Sequence, residues 1–315
     1  MNPPDASAGV YVTLEQLAAL RHKARGFSLL PRQPVTSLLA GGHTSKLRGR
    51  GLDFEEIRKY LPGDDPRTID WKVTARMRSP HSRVFTEERE RPVLLLVDQR
   101  IGMFFGSVKA MKSVAAAELA ALAAWRTVAV KDRVGAIVFN DSEITEIRPQ
   151  RTRSTVMHLL GTIAQRNHEL RANSPAKPGP EMLNEALRRA VRVATHDFLV
   201  VLISDAAGAN PDTRQLLTTI ARHNDVLIAF VFDPLETDLP AAGNLVVSDG
   251  TRQMEVDTGS ASVQSGFRRE FDERFAAAKK FLLTREVPVL PVRTDADVTD
   301  QVLRALGARP GGRRG

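Results

Sequence analysis

Three carboxylates, Asp64, Asp65 and Asp70, alternate with Arg58, Arg67, Lys72 and Arg76 across a segment centred on Tyr60-Leu61-Pro62-Gly63-Asp64-Asp65-Pro66-Arg67-Thr68-Ile69-Asp70-Trp71. Paired acids of this kind could act as a hydrolytic acid and base, but neighbouring carboxylates in a turn point apart, and no nucleophile lies nearby. The spacing instead predicts an ion-pair and turn network. Pro62-Gly63 makes the turn, an aspartate caps the next segment, and Ile69 and Trp71 anchor it against the larger domain. A docking surface is the functional alternative.

Two further aspartates stand where a sheet would present its ligands. Asp98 follows the apolar run Val93-Leu94-Leu95-Leu96-Val97, and Asp205 closes Leu202-Ile203-Ser204-Asp205. An unbroken apolar run suits a strand covered on both faces. After a short opening helix within Val12 to Gly26, strands are expected at 93–97, 133–139, 143–147 (an edge strand), 198–203, 226–232 and 287–292. They alternate with helices at 107–130, 153–166, 181–194, 211–223, 266–283 and 298–306. This order predicts an α/β fold, a mostly parallel sheet flanked by helices, with ligands at the carboxyl ends of the strands. Residues 27–51, rich in Pro and Gly, read as a surface connection or extended arm.

Other chemistries find little support. The seven histidines, at 22, 43, 81, 158, 168, 196 and 223, show no metal-ligand spacing. There is no cysteine, no Gly-x-Ser-x-Gly elbow and no dinucleotide fingerprint. Gly41-Gly42-His43-Thr44-Ser45-Lys46 lacks the Gly-Lys-Ser/Thr order of a phosphate loop, and no strand precedes it. Met103-Phe104-Phe105-Gly106 is apolar for a loop beside Asp98, and is expected to pack beneath the N-terminal segment.

The motif Arg58-x-Tyr60-x-Pro62-Gly63-Asp64-Asp65-x-Arg67-x-Ile69-Asp70-Trp71-Lys72, with Ala75-Arg76 and the strand ending in Asp98, resembles the bacterial family called domain of unknown function 58. The architecture is similar to a von Willebrand factor A domain. The likeness covers roughly residues 45 to 240. In such domains an Asp-x-Ser-x-Ser loop, a Thr and a second Asp cradle magnesium, which a partner's carboxylate completes. Here Arg100 and Gly102 replace the hydroxyls, and Glu181 corresponds to the Thr, so only Asp98 and Asp205 match.

This altered loop suggests that the Arg100 guanidinium takes the place of the metal and pairs with two carboxylates at once. No cofactor is then needed. The alternative leaves Arg100 in solvent, with Asp98, Asp205 and Glu181 holding magnesium through waters. The resemblance implies a partner-binding face built from Asp98, Arg100, Gly102, Glu181 and Asp205. It also implies a MoxR-type AAA+ ATPase as partner, with other von Willebrand factor A-like proteins and, through them, a membrane surface.

Composition frames these readings. The 315 residues are 42% hydrophobic, enough for one large core and a small second lobe. Three regions are expected: 1–91, with the N-terminal helix, arm and signature; 92–307, the von Willebrand factor A-like domain; and 308–315, a basic tail. The net charge is +8, with 16 Lys/Arg against 11 Asp/Glu before Val93. The basic residues are interleaved with acids, and two Trp and two Tyr offer few stacking platforms, so nucleic acid is not the expected partner. With no leader or membrane segment in the sequence, a cytoplasmic setting is expected. The expected function is a non-enzymatic interaction module or adaptor. The alternatives are a metal-dependent hydrolase using Asp98, Glu181 and Asp205 and, ranked below it, nucleic-acid or anionic-surface binding through the basic N-terminal lobe and tail.

Overall fold

The computed structural model describes residues 9–29, 52–61, 64–87, 91–171, 178–240, 243–248, 253–281 and 287–307. Pro62, Gly63, the glycine-rich stretch at 41–46 and the tail at 308–315 lie outside these. The chain forms two compact units, residues 1–32 with 91–315, and residues 33–90. The N-terminal helix, expected to belong with the signature segment, therefore groups with the larger unit.

That helix, α1 (Leu14–Ala19), opens with a capping box in which the Thr13 side chain and Gln16 satisfy each other's backbone donors. The smaller unit is a hairpin of β1 (Leu52–Lys59) and β2 (His81–Glu87), with α2 (Trp71–Met77) between the strands. The hairpin is antiparallel, running from Leu52 opposite Glu87 to Lys59 opposite His81.

The larger unit is built on β3 (Val93–Asp98), α3 (Lys112–Ala129), β4 (Val134–Phe139), β5 (Ile144–Gln150), α4 (Arg153–Glu169), α5 (Met182–Val193), β6 (Leu199–Ser204) and α6 (Pro211–Ala221). It continues through β7 (Asp225–Phe232), α7 (Pro234–Thr237), the hairpin of β8 (Asn244–Ser248) and β9 (Gln253–Asp257), α8 (Ala261–Lys279), β10 (Val289–Arg293) and α9 (Val298–Leu306). The main sheet has the order β10-β7-β6-β3-β4-β5; only β5 runs antiparallel to its neighbour. The expected mostly parallel sheet is therefore the one found.

β3 lies at the centre, and every residue in it is buried. Alternation sends Val93, Leu95 and Val97 into one core with α3, α4 and α9, and Leu94 and Leu96 into the opposite core with α5, α6 and Phe271 of α8. Truncating any of the three fully buried leucines should cost about 2–5 kcal/mol. Helix α3 is almost entirely buried, because α1 covers its outer side: the Trp125 indole donates to the Leu17 carbonyl at 3.2 Å. Small alanines permit this close layering, and a helix apolar all round is one that is covered all round.

The helix expected from Ser107 begins only at Lys112. Residues 101–103 form a single 3-10 turn, and 104–111 are a loop over the end of the sheet. Met103 is buried and Phe104 stacks near Tyr11 (5.7 Å between ring centres), as expected of packing beneath the N-terminal segment. Phe105 remains 37% exposed.

Candidate functional site

The carboxyl ends of β3 and β6 bring Asp98 and Asp205 into a buried polar floor, where each has a different cation. Arg100 lies two residues beyond Asp98 and folds back on it, with Nε to Oδ1 at 3.0 Å and Nη2 to Oδ2 at 2.7 Å. The Arg100 backbone N–H also donates to Oδ1 (3.1 Å), and the Ser204 hydroxyl donates to Oδ2 (2.6 Å). The Asp98 carboxylate thus accepts four hydrogen bonds. The remaining guanidinium hydrogens reach the carbonyls of Ala207 (3.1 Å) and Pro180 (3.4 Å), with the Phe139 ring beneath. Burial pushes the Arg100 pKa down, but the Asp98 charge and hydrogen bonds, helped by Asp205 and Asp141, raise it above the ordinary value.

The guanidinium therefore lies buried against Asp98 and not in solvent. It differs from the expected bridge in gripping one carboxylate rather than two. Asp205 is instead paired with Lys112, the first residue of α3, at 2.7 Å. The same ammonium lies 3.1 Å from Glu236 of α7, and Glu236 in turn meets Arg274 of α8 at 2.5 Å. Burial pushes the Asp205 carboxyl up, yet Lys112 and the Ala207 N–H hold it below the usual range. Burial likewise lowers Lys112, and Asp205 and Glu236 outweigh it, leaving its pKa raised. Asp205, Lys112, Glu236 and Arg274 form an alternating chain of charge.

A third carboxylate, Asp141, fastens two loops over this floor. It accepts from the Ile101 N–H at 2.6 Å and the Gly179 N–H at 2.9 Å. Gly179 is required there, because a Cβ would lie 2.3 Å from the Asp141 carbonyl oxygen. Asp233, fully buried, accepts from the backbone and hydroxyl of Ser107, from the Leu235 N–H and from the Thr294 hydroxyl, and so pins the far end of the β3–α3 loop.

Above the floor lies a cavity of about 550 Å³. Its walls include Gly102, Met103, Phe104, Phe105 and Phe267, with Arg100, Lys112, Asp205, Glu236 and Arg274 among its charges. Gly102 has open space at its Cβ position, so no contact demands glycine there. Glu181, expected to join Asp98 and Asp205, does not: it is exposed at the N-cap of α5, makes no capping hydrogen bond and does not line the cavity. Its position at the solvent-facing start of a helix carries it away from the floor. Among the described residues no group of three or more His, Asp or Glu is arranged to hold a metal. The donor set does not fit magnesium either, since the oxygens of Asp98 are saturated by N–H and O–H donors and an internal guanidinium stands against them.

Sequence reasoning missed Lys112, Glu236, Arg274 and Asp141. No sequence signal marked Lys112, because the helix it opens was expected to start at Ser107 and would have placed it inside the second turn.

The signature segment forms its own site in the smaller unit. Arg58 grips Asp64 in a fork, with both contacts at 2.8 Å, and Asp64 also accepts from the Leu61 N–H at 2.9 Å. Tyr60 donates to the Asp64 carbonyl (3.1 Å), Asp65 accepts from the Arg67 N–H (2.9 Å), and Asp70 caps α2 through Lys72 and Val73 (3.0 and 3.1 Å). Asp70 caps the next segment, the turn expected at Pro62-Gly63 lies outside the described residues, and Arg67, Lys72 and Arg76 are exposed and form no ion pair among the described residues. Trp71, expected to be an anchor, follows the cap Asp70 as the first residue of α2 and is 70% exposed.

Relatives cover nearly the whole chain. The uncharacterized proteins Rv1480 of Mycobacterium tuberculosis (strain ATCC 25618 / H37Rv) and Mb1516 of Mycobacterium bovis are each 31% identical to it, over 98% of this chain and 94% of theirs. Among solved structures, BatB from Bacteroides thetaiotaomicron is similar over 68% of this chain and 95% of its own, at 16% identity and TM-score 0.39. An aerotolerance-related membrane protein from Bacteroides fragilis matches over 69% and 96%, at 13% identity and TM-score 0.39. The family model described as protein of unknown function DUF58 matches residues 56–280, and with relatives of this identity along its length the chain belongs to that family.

Proposed function

We propose that the chain is a non-enzymatic protein-interaction module. Its cleft at the carboxyl ends of the strands grips a partner polypeptide, in concert with a MoxR-type AAA+ ATPase that assembles or matures other proteins. The observation that carries this reading is the fourfold saturation of Asp98. A general acid, base or metal ligand needs a free oxygen or proton to exchange, and the central carboxylate of this floor offers none. The aromatic wall, by contrast, is left for a ligand: Phe105 is 37% exposed and Phe267 39%. A cleft with an apolar wall and charged groups already neutralised suits an extended segment carrying an apolar anchor.

The test is direct binding, by interferometry, of the purified MoxR-type ATPase encoded in the same genome. Phe105→Asp and Phe267→Asp should each weaken binding at least tenfold, with circular dichroism unchanged. Unaltered affinity in both variants would remove the cleft from the proposal, and magnesium-dependent turnover abolished by Asp98→Asn would remove the non-enzymatic reading.

A further inference from the structure

A second cavity, of about 320 Å³, lies on the other side of the β3–α3 loop, between the N-terminal strap, α3 and the start of α9. The strap closes on the loop so tightly that only glycine fits: Gly9 has φ +86°, a Cβ there would stand 2.1 Å from the Lys109 carbonyl, and the Gly9 carbonyl accepts from Met111 N–H at 2.8 Å. The volume falls within the usual span of small-ligand pockets, about 300–1,000 Å³. Tyr11, Val12, Val114, Ala115 and Val298 supply much of its wall.

Into this largely apolar setting α3 places Glu118. Val114 and Ala115 lie four and three residues earlier, on the same helix face. The half-buried Glu118 carboxylate has no hydrogen bond and no ion pair among the described residues. That is unusual, because charged groups withdrawn from water are normally paired. Lys109, which also lines the cavity, and Lys23, just beyond α1, favour its charge without pairing with it. Asp297, which caps α9 and pairs with Lys23 at 3.7 Å, opposes it. Burial and Asp297 together leave the Glu118 carboxyl above its ordinary range.

We propose that this cavity is a socket for a basic side chain, an ammonium or guanidinium on an aliphatic stem presented by a partner polypeptide. The stem matches the wall of Tyr11, Val12 and the valines, and the cationic head matches Glu118, the carboxylate that lines this cavity. This site stands apart from the cleft and does not depend on what the cleft binds.

Its test uses full-length protein with labelled valine methyls and four probes: n-butylammonium, neutral n-butanol, acetyl-Gly-Lys-Gly-amide and the same peptide with norleucine for lysine. Butylammonium and the lysine peptide should shift the Val12, Val114 and Val298 methyls saturably, with affinities on the order of millimolar for so few atoms. Butanol and the norleucine peptide should bind at least tenfold more weakly, as should both cations to Glu118→Gln. Equal binding of charged and neutral probes to the native protein would overturn the proposal, whether or not the variant folds. So would unchanged affinity in a folded Glu118→Gln. Binding of the free amine without the peptide would overturn the polypeptide as occupant.

Discussion

The two charge networks of this protein use the same residue types under opposite conditions. In the larger unit, Arg100 with Asp98 and Lys112 with Asp205 are almost sealed from water: the side chains are 7% and 0% exposed in the first pair, 5% and 3% in the second. In the smaller unit, Arg58 and Asp64 make an equally good fork in the open, at 38% and 20%. Geometry alone does not distinguish them, but solvent does. A buried pair is no great source of net stability, yet removing one member strands the other at a cost of about 3–5 kcal/mol. An exposed pair is screened by water and salt, and its loss is small.

Four substitutions or titrations, in descending order of effect, would sharpen or break this contrast. Lys112→Met strands Asp205 and Glu236, and should lower unfolding stability by about 3–5 kcal/mol in urea melts at pH 7. The pH dependence follows from the directions of the shifts. Asp205 is held below its ordinary range, so its contribution is present above that range and lost as pH falls through the folded value. Lys112 is raised, so its contribution is complete below the ordinary lysine value and lost as pH rises through the folded one. In the variant Asp205 has lost its cation, and the deficit should shrink between pH 7 and pH 4 as that carboxyl takes up a proton. A deficit constant across this window would mean that packing, not charge, holds the floor.

Magnesium comes next. Calorimetric titration should give no saturable heat with the native protein, and micromolar binding that disappears in Asp98→Ala would show that Arg100 yields its place. Asp70→Ala removes the cap of α2 and should cost about 1 kcal/mol. The change should be confined to hydrogen exchange of the amides at 71–77, with those of β3 untouched. Smallest of all, Asp64→Asn should weaken protection near Leu61 at low salt and match the native protein in 1 M salt, where the Debye length is about 3 Å. A salt-insensitive effect would make the two networks alike.

The sequence carried the larger sheet well, because its strands announce themselves as apolar runs and its helices as periodic segments. Asp98, Arg100 and Asp205 were legible for the same reason: each lies at or just beyond the end of such a run. Lys112, Glu236 and Arg274 were not, since their meeting depends on the crossover connections that bring α3, α7 and α8 over one end of the sheet, and no local spacing records that. Glu181 was misplaced because correspondence along the chain does not fix which way a helix's first side chain points. The hairpin of β1 and β2 went unread: the charged 52–59 stretch lacks the apolar run that marks a covered strand, and the 21 residues from 60 to 80 separate it from its partner, so no short turn signal joins the two. The hairpin of β8 and β9, two five-residue strands, was equally too short to announce itself.

The Asp233 carboxylate gathers donors from residues 107, 235 and 294. Its partners are separated by most of the larger unit, so the chain closes this knot only after β7 and β10 have docked side by side. Because closing so long a loop is costly, such a contact is expected to form late in folding. Asp233→Asn should therefore leave the refolding rate nearly unchanged and speed unfolding, giving a φ-value near zero. The residue that holds the loop between the two cavities would act as a brake on unfolding, with little part in guiding the chain to its fold.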